Sequence, residues 1–93
     1  MKESDIQKKI VNYLEKEGCY VVKVISATKA GIPDILGCYD GHFFGIEVKT
    51  PSTSDNCSQL QEYNLDRIIE CGGSSLVAWE VSQVEDFIDS LRK

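Results

Sequence analysis

Gly31-Ile32-Pro33-Asp34-Ile35-Leu36-Gly37 opens a run that passes through Cys38-Tyr39-Asp40-Gly41 and ends on Gly45-Ile46-Glu47-Val48-Lys49-Thr50. Side chains alternate between the two faces of a strand, so Ile46 and Val48 point one way, Glu47 and Lys49 the other. The segment Asp34 to Tyr39 reads as the preceding strand, joined to the next by the tight-turn dipeptide Asp40-Gly41. Asp34 then starts one strand and Glu47 lies near the end of its antiparallel neighbour. Two carboxylates and an ammonium meet at one edge of a sheet.

Outward from that hairpin, the flanks supply helices and two more strands. Ser4-Asp5-Ile6-Gln7 has the form of a capping box, with Ser4 as N-cap and Gln7 at N3. Ile6, Ile10, Val11 and Leu14 then recur at helical spacing through about Glu17, and Gly18 ends the helix. The β-branched run Tyr20 to Ile25 predicts a central strand, followed by a polar loop from Ser26 to Pro33. After Thr50 a turn-rich loop leads to a helix beginning near Ser58. Leu60, Leu65, Ile68 and Ile69 form its expected core stripe, flanked by Tyr63, and Cys71-Gly72-Gly73 closes it. Ser75 to Trp79 is a fourth strand. Ser82-Gln83-Val84-Glu85 reads as a second capping box, with Val84, Phe87, Ile88 and Leu91 on one face. The expected fold is α/β, in the order α-β-β-β-α-β-α. Its mixed four-stranded sheet is flanked by helices, with a right-handed crossover making the last strand pairing parallel.

At 93 residues the chain predicts one domain, 1–93, small enough that oligomerisation is an expected source of stability. No apolar run approaches the roughly 18–20 residues of a membrane span, and the N-terminus has no signal-peptide core, so a cytosolic location is expected. Four cysteines, at 19, 38, 57 and 71, lack zinc-binding spacing. They read as reduced structural thiols, with Cys19 and Cys38 buried. The net charge of −5 argues against indiscriminate phosphate binding. Yet Lys8, Lys9, Lys23, Lys29, Lys49 and Arg67 lie in the first two-thirds, while Glu80, Glu85, Asp86 and Asp89 crowd the end. That distribution permits a basic cleft with an acidic back.

Singly, Asp34 is an ordinary turn residue and Glu47 with Lys49 an ordinary solvated strand face. Together, in this order, they match what phosphodiester hydrolysis needs. One or two Mg²⁺ (or Mn²⁺) ions act as Lewis acid and activate water, held by one or two carboxylates plus waters and phosphate oxygens. Asp34 and Glu47 supply the carboxylates, and Lys49 can position water or offset phosphate charge. Lys23 and Lys29 are candidate phosphate contacts. His42 reads as a strand-start residue, and Trp79 and Phe87 as core.

Pro33-Asp34 followed by Glu47-Val48-Lys49 resembles the core motif of the PD-(D/E)XK nuclease superfamily. The wider pattern, Gly31 to Gly37 then Ile46 to Thr50, resembles its VRR-Nuc branch, known within larger repair enzymes and as small stand-alone proteins of phages and bacteria. The resemblance implies a restriction-endonuclease-like core and an endonuclease cutting DNA with Mg²⁺ or Mn²⁺. Branched or junction DNA and a homodimer like that of a Holliday-junction resolvase are the expected partners, in a bacterial or phage-infected cell. It also implies the Val48 carbonyl as a third metal ligand and Glu3, at the start of the first helix, as a member of the metal site. Glu3 is equally a dipole-favourable acid, and Gln7, one turn on, is either a cleft residue or a capping residue. The glutamine lining the site opposite the ExK strand falls on Gln61, with Gln59 as rival. The other function class open to such a chain is a catalytically silent DNA-binding or interaction module of a repair or packaging complex.

Overall fold

The computed structural model describes residues 1–92. The elements are α1 (Glu3–Lys16), β1 (Tyr20–Lys23), β2 (Ile35–Tyr39), β3 (His42–Val48), a 3-10 turn (Pro51–Thr53), α2 (Gln59–Glu70), β4 (Ser74–Ala78) and α3 (Val81–Leu91). The four strands form one sheet in the order β1-β2-β3-β4, antiparallel at the first two pairings and parallel between β3 and β4. The mixed α/β sheet read from the sequence is therefore the observed one.

Position in the sheet decides what is buried. β3 lies between β2 and β4, and Phe44, Ile46 and Val48 are fully buried on one face of it. That face carries the main core: Ile6, Ile10 and Leu14 from α1, Ile35 from β2, and Val84 and Ile88 from α3. Phe87 meets Phe44 edge-on, their ring centroids 5.6 Å apart. The opposite face receives α2, whose Ile68 packs where Gly45 leaves room. Glu47, one residue out of phase with Ile46 and Val48, faces this α2 side.

Three expectations are corrected. β1 is an edge strand of four residues and not a central one, and Tyr20 remains 73% exposed. A β-branched run signals a strand but not its neighbours. On α2, Leu65 and Ile68 turn inward, whereas Leu60 and Ile69 are 48% and 55% exposed. The sheet-facing line of that helix is Gln61, Asn64, Leu65 and Ile68, so polar residues occupy half of it. Both outer helices have their N-caps two residues before the expected ones. Lys2 precedes α1, its N–H donating to Asp5 at 3.3 Å. Glu80 precedes α3, where the Gln83 side-chain oxygen accepts from the Trp79 and Glu80 N–H groups at 2.7 and 3.1 Å. Ser4 and Ser82 already lie inside their helices.

The β2–β3 turn has Asp40 at φ 50° and Gly41 at φ 81°, both left-handed as a two-residue hairpin turn requires. The register that follows pairs Ile35 with Ile46. All four cysteines are free, and Cys38 is only half-buried. No helix among the described residues is long and apolar enough to cross a membrane.

Candidate active site

Asp34 immediately precedes β2, and Glu47 is the penultimate residue of β3, so the hairpin brings the two to one end of the sheet. The Val48 N–H donates to Asp34 Oδ2 at 2.8 Å, fixing that carboxylate against β3. Glu47 is only 3% exposed. Its pKa is pushed up to about 8, first by burial, then by the negative charge of Asp34 and a side-chain hydrogen bond with it. Lys49 acts in the opposite direction and Glu3 adds to the rise. A buried acid beside a second acid keeps its proton unless a cation joins them.

Lys49 continues on the Glu47 face, its Nζ 3.8 Å from Glu47 Oε2. The third element of the site is the start of α2. Ser58 caps this helix: Gln61 N–H donates to Ser58 Oγ at 3.1 Å, and Ser58 N–H donates to Gln61 Oε1 at 2.9 Å. The same Gln61 amide accepts from Lys49 Nζ at 3.2 Å and donates through Nε2 to Glu47 Oε2 at 3.1 Å. One side chain thus ties the helix cap to both charged residues of the strand. Gln59, the rival for that position, is exposed at the first residue of the helix.

The remaining candidates are placed less centrally. Glu3 is half-buried in the first turn of α1, near enough to raise the Glu47 pKa but with no direct contact. Among the described residues no three His, Cys, Asp or Glu side chains cluster to hold a metal. Gln7 is buried in α1 and is not part of its cap. Lys23 and Lys29 are separated. Lys23 lines a shallow depression with Lys8 and Asp5 of α1, whereas Lys29 lines a groove of about 580 Å³ beside α2. That groove runs past Pro33 toward His42 and Arg67, and neither Glu47 nor Lys49 lines it. His42 sits at the far end of β3, hydrogen-bonded to Ser74 at 2.8 Å.

Asn64 is the site-supporting residue that pattern reading missed. Its Nδ2 donates to the Ala30 carbonyl at 3.1 Å and to the Leu60 carbonyl at 2.9 Å, pinning the loop that carries Pro33 and Asp34 to α2. Gly31 in that loop has φ 79°, and a Cβ there would lie 2.8 Å from the Leu60 backbone carbon. The available signal was an amide three residues after Gln61, in the apolar stripe of a helix.

Two adjacent carboxylates fit a hard divalent ion, which takes a few protein oxygens and completes its shell with water and phosphate oxygens. A further oxygen lies close by in sequence: the Val48 carbonyl, on the wholly buried last residue of β3, receives no hydrogen bond from the loops or side chains of the described residues.

Comparison with known proteins adds to this geometry. The family model described as archaeal Holliday junction resolvase (Hjc) matches residues 1–91. A solved structure described as a VRR_NUC domain superposes with a TM-score of 0.76 at 26% identity, covering 94% of each chain. A second, a VRR_NUC domain protein, superposes at 0.75 with 19% identity, covering 96% of this chain and 86% of that one, a likeness of fold. No curated protein sequence matches.

Proposed function

This chain belongs to the archaeal Holliday junction resolvase family and has the fold of VRR-Nuc domains, and from that premise we propose that it is a divalent-metal-dependent DNA endonuclease. The observation that carries the reading is the meeting of Asp34 and Glu47 at one end of the sheet, close enough for the charge of Asp34 to raise the Glu47 pKa, with Lys49 and Gln61 on the same oxygen of Glu47.

Asp34, Glu47 and the Val48 carbonyl would hold the ion, Mg²⁺ or Mn²⁺, with Glu3 as a further acid of the site. When bound, such an ion supplies Lewis acidity and a nucleophile at neutral pH. The chain's own groups do the rest. Lys49 places a positive charge beside Glu47, where it can orient water or neutralise a phosphate oxygen. Gln61 holds Lys49 and Glu47 at a set separation and offers its amide to a water or phosphate oxygen. Lys23 and Lys29, on opposite sides of the sheet, contact flanking phosphates, and Gln7 borders the cleft.

The proposed substrate is branched or junction DNA, cut by a homodimer. A sheet this small offers little surface for reading bases, which favours selection by shape. The pairing Tyr20↔Cys38↔Phe43 makes a row across the α2 side of the sheet, and Tyr20, Val22 and Phe43 are all exposed there. An apolar row of this kind supports a twofold contact between copies.

The test is cleavage of four-way junctions, flaps and linear duplexes with Mg²⁺ or Mn²⁺, alongside Glu47→Ala. Junction cutting that vanishes in Glu47→Ala and in chelator is expected. Cutting no greater than that of the variant would leave a DNA-binding module.

A further inference from the structure

The alternation of backbone groups along two strands leads to Pro33. The Val24 N–H donates to the Asp34 carbonyl at 2.8 Å, so the polar backbone of Asp34 faces β1. That of its neighbours, Pro33 and Ile35, therefore faces β3. The Lys49 N–H donates to the Ala78 carbonyl at 2.9 Å, so Lys49 faces β4 and Val48 faces the β2 side. Extending the pairing of Ile35 with Ile46 by two residues sets Pro33 opposite Val48. An antiparallel ladder exchanges two hydrogen bonds at such a pair.

Neither bond forms here. Proline has no N–H to donate to the Val48 carbonyl. The Val48 N–H goes instead to the Asp34 carboxylate at 2.8 Å. Val48 is nonetheless wholly buried, and a buried carbonyl without a donor is unfavourable. The last rung of the ladder has been removed at both of its bonds by two consecutive residues. One consequence is an oriented carboxylate; the other is an unclaimed carbonyl on the next residue after Glu47.

We infer that Pro33 is a positioning residue of the cation site: by withholding a ladder N–H, it keeps the Val48 carbonyl open to the ion held by Asp34 and Glu47. The inference rests on the metal-dependent reading above. Its bland alternative is a proline kept for core packing, since the ring is fully buried and lies near Gly45.

Two variants separate these roles, Pro33→Ala and Pro33→N-methylalanine, assembled by ligation at the Gly37-Cys38 junction. Both lose the ring; the second keeps a methyl on nitrogen in place of the proline Cδ, and only the first carries an N–H. Titration calorimetry with Mn²⁺ should show Pro33→Ala binding about tenfold more weakly than Pro33→N-methylalanine, the usual size of an effect on a ligand's support. Equal affinities would overturn the inference. The unsubstituted protein gives an independent reading through ¹³C labelling of the valine carbonyls and of the aspartate and glutamate carboxyls. Diamagnetic Mg²⁺ should shift the Val48 carbonyl signal together with the Asp34 and Glu47 carboxyl signals. Shifts of the carboxyl signals with the Val48 carbonyl unmoved would sink this proposal alone. Failure of the unsubstituted protein to bind Mn²⁺ at all would remove the metal-dependent reading as well.

Discussion

Glu47, nearly inaccessible and beside the negative charge of Asp34, holds its proton up to a pH of about 8 in the cation-free protein. Unfolded, it releases that proton near 4.5. Across that interval the folded state binds more protons than the unfolded one, so this group's stabilisation is full below about 4.5 and is lost as pH rises toward about 8. Thermal melts in EDTA should therefore fall between pH 5 and pH 9. Glu47→Gln should flatten that fall and raise the melting temperature at pH 9 by roughly 4–8 °C, the change that about 1 kcal/mol makes in a chain this size. The same substitution should cut cleavage at least about a hundredfold if, as proposed, Glu47 is a ligand of the ion. A variant both active and no more stable would contradict the role given to this residue. Saturating Mg²⁺ should raise the high-pH melting temperature by mass action, an effect absent from Glu47→Gln.

At the scale of the element, α2 is built around its first turn. Ser58→Ala removes the cap and one of the anchors of Gln61, and should cost about 1 kcal/mol in urea unfolding. Gly31→Ala forces a side chain against the Leu60 backbone at a left-handed φ and should cost roughly 1–3 kcal/mol by the same measurement. Much of this scale was readable beforehand. Alternation along Ile46 to Lys49 and the turn dipeptide Asp40-Gly41 located the hairpin and its register, because strand periodicity and turn chemistry are local. The Ser58 start of α2 was readable for the same reason. Ser4 and Ser82 misled because a serine inside the first turn looks like a cap in sequence, while the helix had already been capped two residues earlier. Leu60 and Ile69 misled because an apolar residue on a short helix need not face the sheet. Glutamine and asparagine took the inward places, serving Glu47, Lys49 and the Ala30 carbonyl. The edge placement of β1 depends on which strands neighbour it, and no local pattern encodes that.

The whole molecule must bind a polyanion while carrying a net charge of −5. Bound divalent ions reverse the local sign at the acids, so junction affinity in EDTA should fall at least about tenfold below that in Ca²⁺, measured by gel shift. Light scattering should report a dimer. Tyr20→Glu with Phe43→Glu, placing charges in the exposed apolar row, should return it to a monomer. The two-residue turn at Asp40-Gly41 carries a consequence on another timescale, that of inherited insertions and deletions. Because faces alternate residue by residue, gaining or losing a single position between the hairpin turn and Glu47 would bury the carboxylate among Ile10, Leu14 and Val84 and expel isoleucine toward Gln61. A change of length in that strand is therefore tolerated only where a bulge or a longer turn restores the alternation before Glu47.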